Sequence, residues 1–225
     1  MTSFSLFASP WWVNLLIFIP FAAYYFWRHN KLEVTHGQLL FSAVFAIAFG
    51  FVEAAVVVYL RAATGLLPGY AGTLADVARL SSDIYSQAKM LGELPKSLFV
   101  VEFLREIATM IMLVSVAFFI MRDSFCSCTP AVERCQFYDR RTSNVFDIGT
   151  KKERYKQLAI FLWTFAVWDI FYYVWLWILI RWPSSLTTLD VLFLVPVPWL
   201  AQVWFPILVS IFTIFAVVFS KKSDV

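Results

Sequence analysis

Charge is what this chain has least of. Asp, Glu, Lys and Arg make up 15% of its 225 residues against 61% hydrophobic, with 24 Phe and 10 Trp. That composition excludes an ordinary soluble domain and matches a polytopic membrane protein. Histidine is nearly missing, at two residues. A His-rich di-metal centre and paired axial ligands for a membrane haem are therefore excluded, and an all-oxygen site is the metal chemistry left. There is no Gly-x-x-x-x-Gly-Lys motif for a nucleotide phosphate and no lysine inside an apolar run for a Schiff base. The three cysteines, Cys126, Cys128 and Cys135, fall in one connecting segment. An odd cluster gives no disulfide framework and reads as free thiols; a thiolate metal site lacks a fourth ligand, and acylation is the weakest reading. A net charge of +3 with its basic residues in loops gives no nucleic-acid face. Met1-Thr2-Ser3 has no basic n-region, and the first apolar run continues to Trp27 without a cleavage motif, so a retained helix is expected.

The apolar runs predict an all-α fold, a polytopic bundle of about five transmembrane helices over residues 11–27, 38–60, 97–121, 157–180 and 199–219. Trp11 and Trp12 at one end of the first run, and Tyr24, Tyr25 and Trp27 at the other, have the placing of interfacial belts. Asn14 and Pro20 predict a mild kink there. In the second, Ala46, Gly50 and Ala54 form a small-xxx-small stripe that lets another helix approach closely, with Glu53 beside it. Residues 73–91 read as an amphipathic surface helix, started by Thr73 and Asp76 and stopped by Gly92. Residues 122–156 form the hydrophilic, basic cytoplasmic loop. Val191 to Pro198 is too short to cross, and its two prolines predict a half-helix or re-entrant segment before a last span kinked at Pro206.

Basic residues set the orientation. With the N-terminus outside and the C-terminus inside, twelve Lys and Arg fall on the inner side against five outside.

Within this apolar background Glu102, Arg105 and Glu106 stand at i, i+3 and i+4, on one helical face. An ionisable side chain facing hydrocarbon costs at least about 2.5 kcal/mol on insertion scales, so that face looks at protein or water. Glu53 and Asp169 also lie inside apolar runs, and Asp190 ends one. A rise of about 1.5 Å per residue puts Glu53 roughly 11 Å below the outer end of its run and Arg105 and Glu106 roughly 12 to 14 Å below theirs. Asp169 falls nearer the midplane and Asp190 at the outer surface. The functional reading is an outward-facing pocket in which Arg105 binds an anionic or polar group. Glu53, Glu102, Glu106 and Asp169 hold a proton or hard cation, and Tyr172 and Tyr173 supply hydroxyl donors at its floor. The structural reading is that Arg105 pairs with Glu53 or Asp169 and fixes helix packing. His29 and His36 are read as solvated at inner helix ends.

At Phe49-Gly50-Phe51-Val52-Glu53-Ala54-Ala55, Glu102-Phe103-Leu104-Arg105-Glu106 and Trp168-Asp169 through Pro198-Trp199, the chain resembles uncharacterised small polytopic membrane proteins of bacteria. The resemblance runs from the second span onward, departs at the cysteine-bearing loop, and implies a span arrangement but no activity. Three functional classes remain. The first is a protein that binds or transports a small polar or ionic solute. The second is an accessory or assembly subunit of a larger membrane complex or homo-oligomer, embedded in the bilayer, with its charges as packing devices. The third is an intramembrane enzyme on a lipid or quinone, supported only by two neighbouring carboxylates.

Overall fold

The computed structural model describes residues 8–30, 32–63, 96–122 and 151–221. The predicted surface helix over 73–91 and the cysteine-bearing segment lie outside these residues. Within them the chain is a helical bundle with one small hairpin. A 3-10 stretch, Trp11–Ile17, runs into α1, Phe18–Asn30; α2 spans His36–Ala63, α3 Lys96–Arg122, α4 Lys151–Ile180 and α5 Trp204–Ser220. Between α4 and α5 stand β1, Leu189–Phe193, and β2, Trp199–Gln202. Among the described residues three helices are long and apolar enough to cross a membrane: His36–Leu60, Phe99–Ile120 and Glu153–Ile180.

Local chemistry sets each boundary. Thr35 and Gln38 form a reciprocal capping box at the start of α2, Gln38 N–H to Thr35 Oγ1 at 3.2 Å and Thr35 N–H to Gln38 Oε1 at 3.0 Å. α4 starts at Lys151, six residues before the predicted start at 157. The last residues of the predicted loop, Lys-Lys-Glu-Arg-Tyr-Lys, are mostly good helix formers, and Glu153 suits the first turn. α4 ends as Arg181 turns left-handed at φ 56°, its N–H returning to the Trp177 carbonyl at 3.0 Å. Pro206 takes the third position of α5, in the first turn where no intrahelical donor is lost, and Pro20 stands just past the junction at which the 3-10 stretch becomes α1. The expected kink at Pro206 is thus replaced by a helix start. Asn14 has a different task from kinking: its amide accepts from Ala8 N–H at 2.9 Å and donates to the Ala8 carbonyl at 2.9 Å, pinning the N-terminal segment.

The expected half-helix at 191–198 is an antiparallel hairpin, pairing Leu189 with Gln202 and Asp190 with Ala201. Val195 and Val197 each precede a proline, which drives them extended, and Val191, Leu192 and Phe193 suit a strand. Pro196 and Pro198 fall in the turn, where no ladder donor is needed. Ser9 pairs with Leu200 on the far edge of β2, at 2.8 and 2.7 Å.

α4 is the centre of the bundle and packs on α2, α3 and α5, while α1 packs on α5. Gly50 sets the α2–α4 distance: a Cβ there meets the Trp168 carbonyl oxygen and the Tyr172 nitrogen at 3.2 Å. Ala46 and Ala54, on the same stripe, are fully buried. The indoles of Trp163 and Trp175 donate to the Leu39 and Ile47 carbonyls at 3.0 Å, tying α4 to α2 along its length. One apolar cluster, with Trp27, Leu39, Ala117, Ile160 and Val217, closes one end of the bundle. Another, with Val58, Tyr173, Ile180, Trp182 and Val203, closes the opposite end, beneath the hairpin.

Candidate functional site

A cavity of about 210 Å³ lies at the hairpin end, where α2 finishes and α3 and α5 begin. All seven residues singled out in the sequence, Glu53, Glu102, Arg105, Glu106, Asp169, Tyr172 and Tyr173, are on its wall. Thr109, Asp190 and Ser210 join them.

α3 contributes the largest polar share because Glu102, Arg105, Glu106 and Thr109 recur at helical spacing on one stripe. The stripe is inverted relative to a soluble helix. Glu102, Glu106 and Thr109 are buried, whereas Val101, Leu104 and Ile111 are 58%, 56% and 59% exposed. Arg105 Nη1 donates to Glu53 Oε2 on α2, and Arg105 Nε donates to Glu102 Oε2 at 2.8 Å. Thr109 Oγ1 donates to the other Glu53 oxygen at 2.8 Å. The arginine of the structural alternative therefore pairs with Glu53 and not with Asp169, and two carboxylates already engage it. Glu106 turns the other way and accepts the Leu194 N–H of the hairpin turn at 2.7 Å.

α4 supplies the opposite wall. Asp169 Oδ2 accepts from Ser210 Oγ on α5 at 2.8 Å. The Tyr173 hydroxyl donates to Asp190 Oδ2 at 2.9 Å, and Asp190 Oδ1 accepts the Val191 N–H at 2.9 Å. Asp190 is thus a buried member of the wall, because the β1 pleat turns it down onto Tyr173. Tyr172 stacks on Trp168 at 6.1 Å between centroids. The remaining lining is largely apolar, from Val57, Leu60, Phe165, Leu192, Phe205 and Val209.

Five carboxyl groups face this space, and Arg105 is the single basic side chain among the described residues on its wall. Glu53 and Glu102 share the guanidinium; Glu106, Asp169 and Asp190 take neutral donors. Buried carboxylates in such excess require protons or a bound cation. Among the described residues no three His, Cys, Asp or Glu side chains are grouped so as to hold a metal ion. His36 is exposed at the start of α2, and the His29 side chain lies outside what is described.

Sequence reasoning missed Thr109 although it extends the α3 stripe by one helical turn. Ser210 carried no local signal, since only the fold brings it to Asp169. Compared with protein-family models, curated proteins and solved structures, the chain matches none.

Proposed function

We propose that the chain is an integral membrane protein that binds, and in the fuller reading carries, a small polar or ionic solute in the cavity, reached from the outer face. The observation that carries this is the convergence of five carboxyls and one arginine from α2, α3, α4 and the hairpin on a single cavity. A bilayer setting is supported by α3, whose Glu102 and Glu106 are buried and whose Val101, Leu104 and Ile111 point outward.

The element lengths support the reading of five spans, two more than the three long apolar helices. The 3-10 stretch of seven residues and α1 of thirteen rise together by roughly 34 Å. The seventeen residues of α5 rise by about 25 Å, short of a hydrocarbon core of about 30 Å. In this reading the hairpin fills the missing depth as the re-entrant element, which is supported by its backbone groups being paired to each other and to Ser9. In this reading the N-terminus is outside and the C-terminus inside a bacterial-type cytoplasmic membrane.

Native mass spectrometry of protein extracted gently from its own membrane tests the proposal. The expected result is a chain or homo-oligomer carrying a small non-protein mass, lost in Val209→Trp, which fills the cavity from α5. Fixed-ratio companion subunits without a bound small molecule overturn it in favour of an accessory role.

A further inference from the structure

The carboxyl that stands apart in the cavity is Asp169. It is 8% exposed, and its Oδ2 accepts from Ser210. Its Oδ1 has no hydrogen-bond partner among the described residues, although the residue is on the cavity wall. A carboxylate oxygen that opens into a largely apolar cavity calls for a donor there, and a charged donor is the strongest partner available to it.

The surroundings say what kind of donor. From the hairpin to α4 the wall is a continuous run of rings in contact. Trp199 meets Phe193 at 5.4 Å, Phe193 meets Phe165 at 6.4 Å, Phe165 meets Trp168 at 5.5 Å and Trp168 meets Tyr172 at 6.1 Å between centroids. Ring faces attract cations, most strongly when both are withdrawn from water. An anionic solute has no free counter-charge, because Arg105 already holds Glu53 and Glu102. A hard inorganic cation needs six or more oxygens around it, and no three acidic groups are gathered for that purpose among the described residues. The volume, about 210 Å³, exceeds the ~150 Å³ of an apolar cavity that admits a benzene ring.

We infer that the solute is a small organic monocation, a protonated amine, with its ammonium on Asp169 Oδ1 and its apolar body against the ring wall of Phe165, Trp168 and Phe193. The inference rests on the cavity being a solute site and names the class of solute.

The full chain in lipid nanodiscs, titrated near pH 7 with benzylammonium chloride and followed by thermal unfolding and tryptophan fluorescence, tests it. Benzyl alcohol, sodium benzoate and sodium chloride at equal concentration are the comparison probes. Benzylammonium alone is expected to give a saturable rise in Tm, with affinity at least tenfold weaker in Asp169→Asn, about 1.4 kcal/mol. Asn keeps the shape and the bond from Ser210. Should that variant not fold, Phe193→Leu is expected to weaken benzylammonium more than threefold. Benzyl alcohol or benzoate binding as tightly as benzylammonium overturns the cationic class while leaving the cavity a solute site. Sodium chloride reproducing the whole shift assigns the charge to an inorganic ion and overturns the inference. Absence of any saturable shift also overturns it, and the mass-spectrometric result on the native membrane then judges the cavity separately.

Discussion

Replacing Arg105 by Gln should destabilise the protein more than replacing either of its carboxylate partners. The guanidinium, 24% exposed, serves Glu53 at 7% and Glu102 at 10% side-chain exposure. Removing it leaves two buried carboxylates without a counter-charge, whereas Glu53→Gln leaves Arg105 with Glu102, a balanced pair, and keeps an acceptor for Thr109. Breaking a buried pair from the side that strands a charge costs about 3 to 5 kcal/mol. A second route gives a similar size: neutralising a carboxylate of solution pKa about 4.3 at pH 7 costs about 3.7 kcal/mol, at 1.36 per pH unit. The expected loss for Arg105→Gln is therefore about 3 to 4 kcal/mol, against about 1 kcal/mol for Glu53→Gln. Unfolding of the two variants and the wild type in bicelles measures both losses. An Arg105→Gln variant no less stable than Glu53→Gln would refute the reasoning.

Gly50→Leu should abolish folding, since the side chain would enter space held by backbone atoms of α4 at 3.2 Å; a monodisperse, cooperatively melting variant would show that α2 and α4 separate easily. Glu106→Ala removes the acceptor for Leu194 N–H, so amide exchange across 189–202 should accelerate about tenfold or more while α2 and α4 keep their protection. Uniform acceleration throughout would instead mean that the whole bundle has loosened. For topology, Ser184→Cys in a background lacking the native cysteines should react with an impermeant maleimide added to intact cells, and Lys221→Cys should react only after permeabilisation. The reverse pattern would invert the assigned orientation.

The helices were legible because apolar length is a local property, and the site because a charge inside an apolar run is anomalous wherever it occurs. Glu102, Arg105 and Glu106 needed only helical geometry to be placed on one face. Their partners were not legible. Whether Arg105 turns to Glu53 or Asp169 depends on how α2 and α4 are placed against α3, and the sequence stripe at Gly50 speaks only to the α2–α4 approach. The hairpin had a readable signal in Val195-Pro196 and Val197-Pro198, two alternate residues each disfavoured from the helical region by the proline after it, which argues against a helical turn. Asp190 followed from the same oversight, for only as part of a strand does it reach down to Tyr173.

The polar cluster also explains how α3 is held. Toward the far end of the bundle α3 has apolar anchors, with Leu113 and Ala117 buried against neighbouring helices. In its cavity half the outward residues are aliphatic and exposed, so attachment falls to Arg105 on Glu53, Thr109 on Glu53 and Glu106 on Leu194. In lipid, where apolar contact between helices gives no hydrophobic driving force, such bonds replace a packed seam. The same groups line the cavity, so the structural and functional readings of these charges are not exclusive. A solute that competed for Glu106 would loosen the hairpin, and one that competed for Glu53 would loosen α3, whereas one held by Asp169 would release neither. Under the proposed function that separation favours a contact on α4, the helix packed on α2, α3 and α5, over one on α3 or the hairpin.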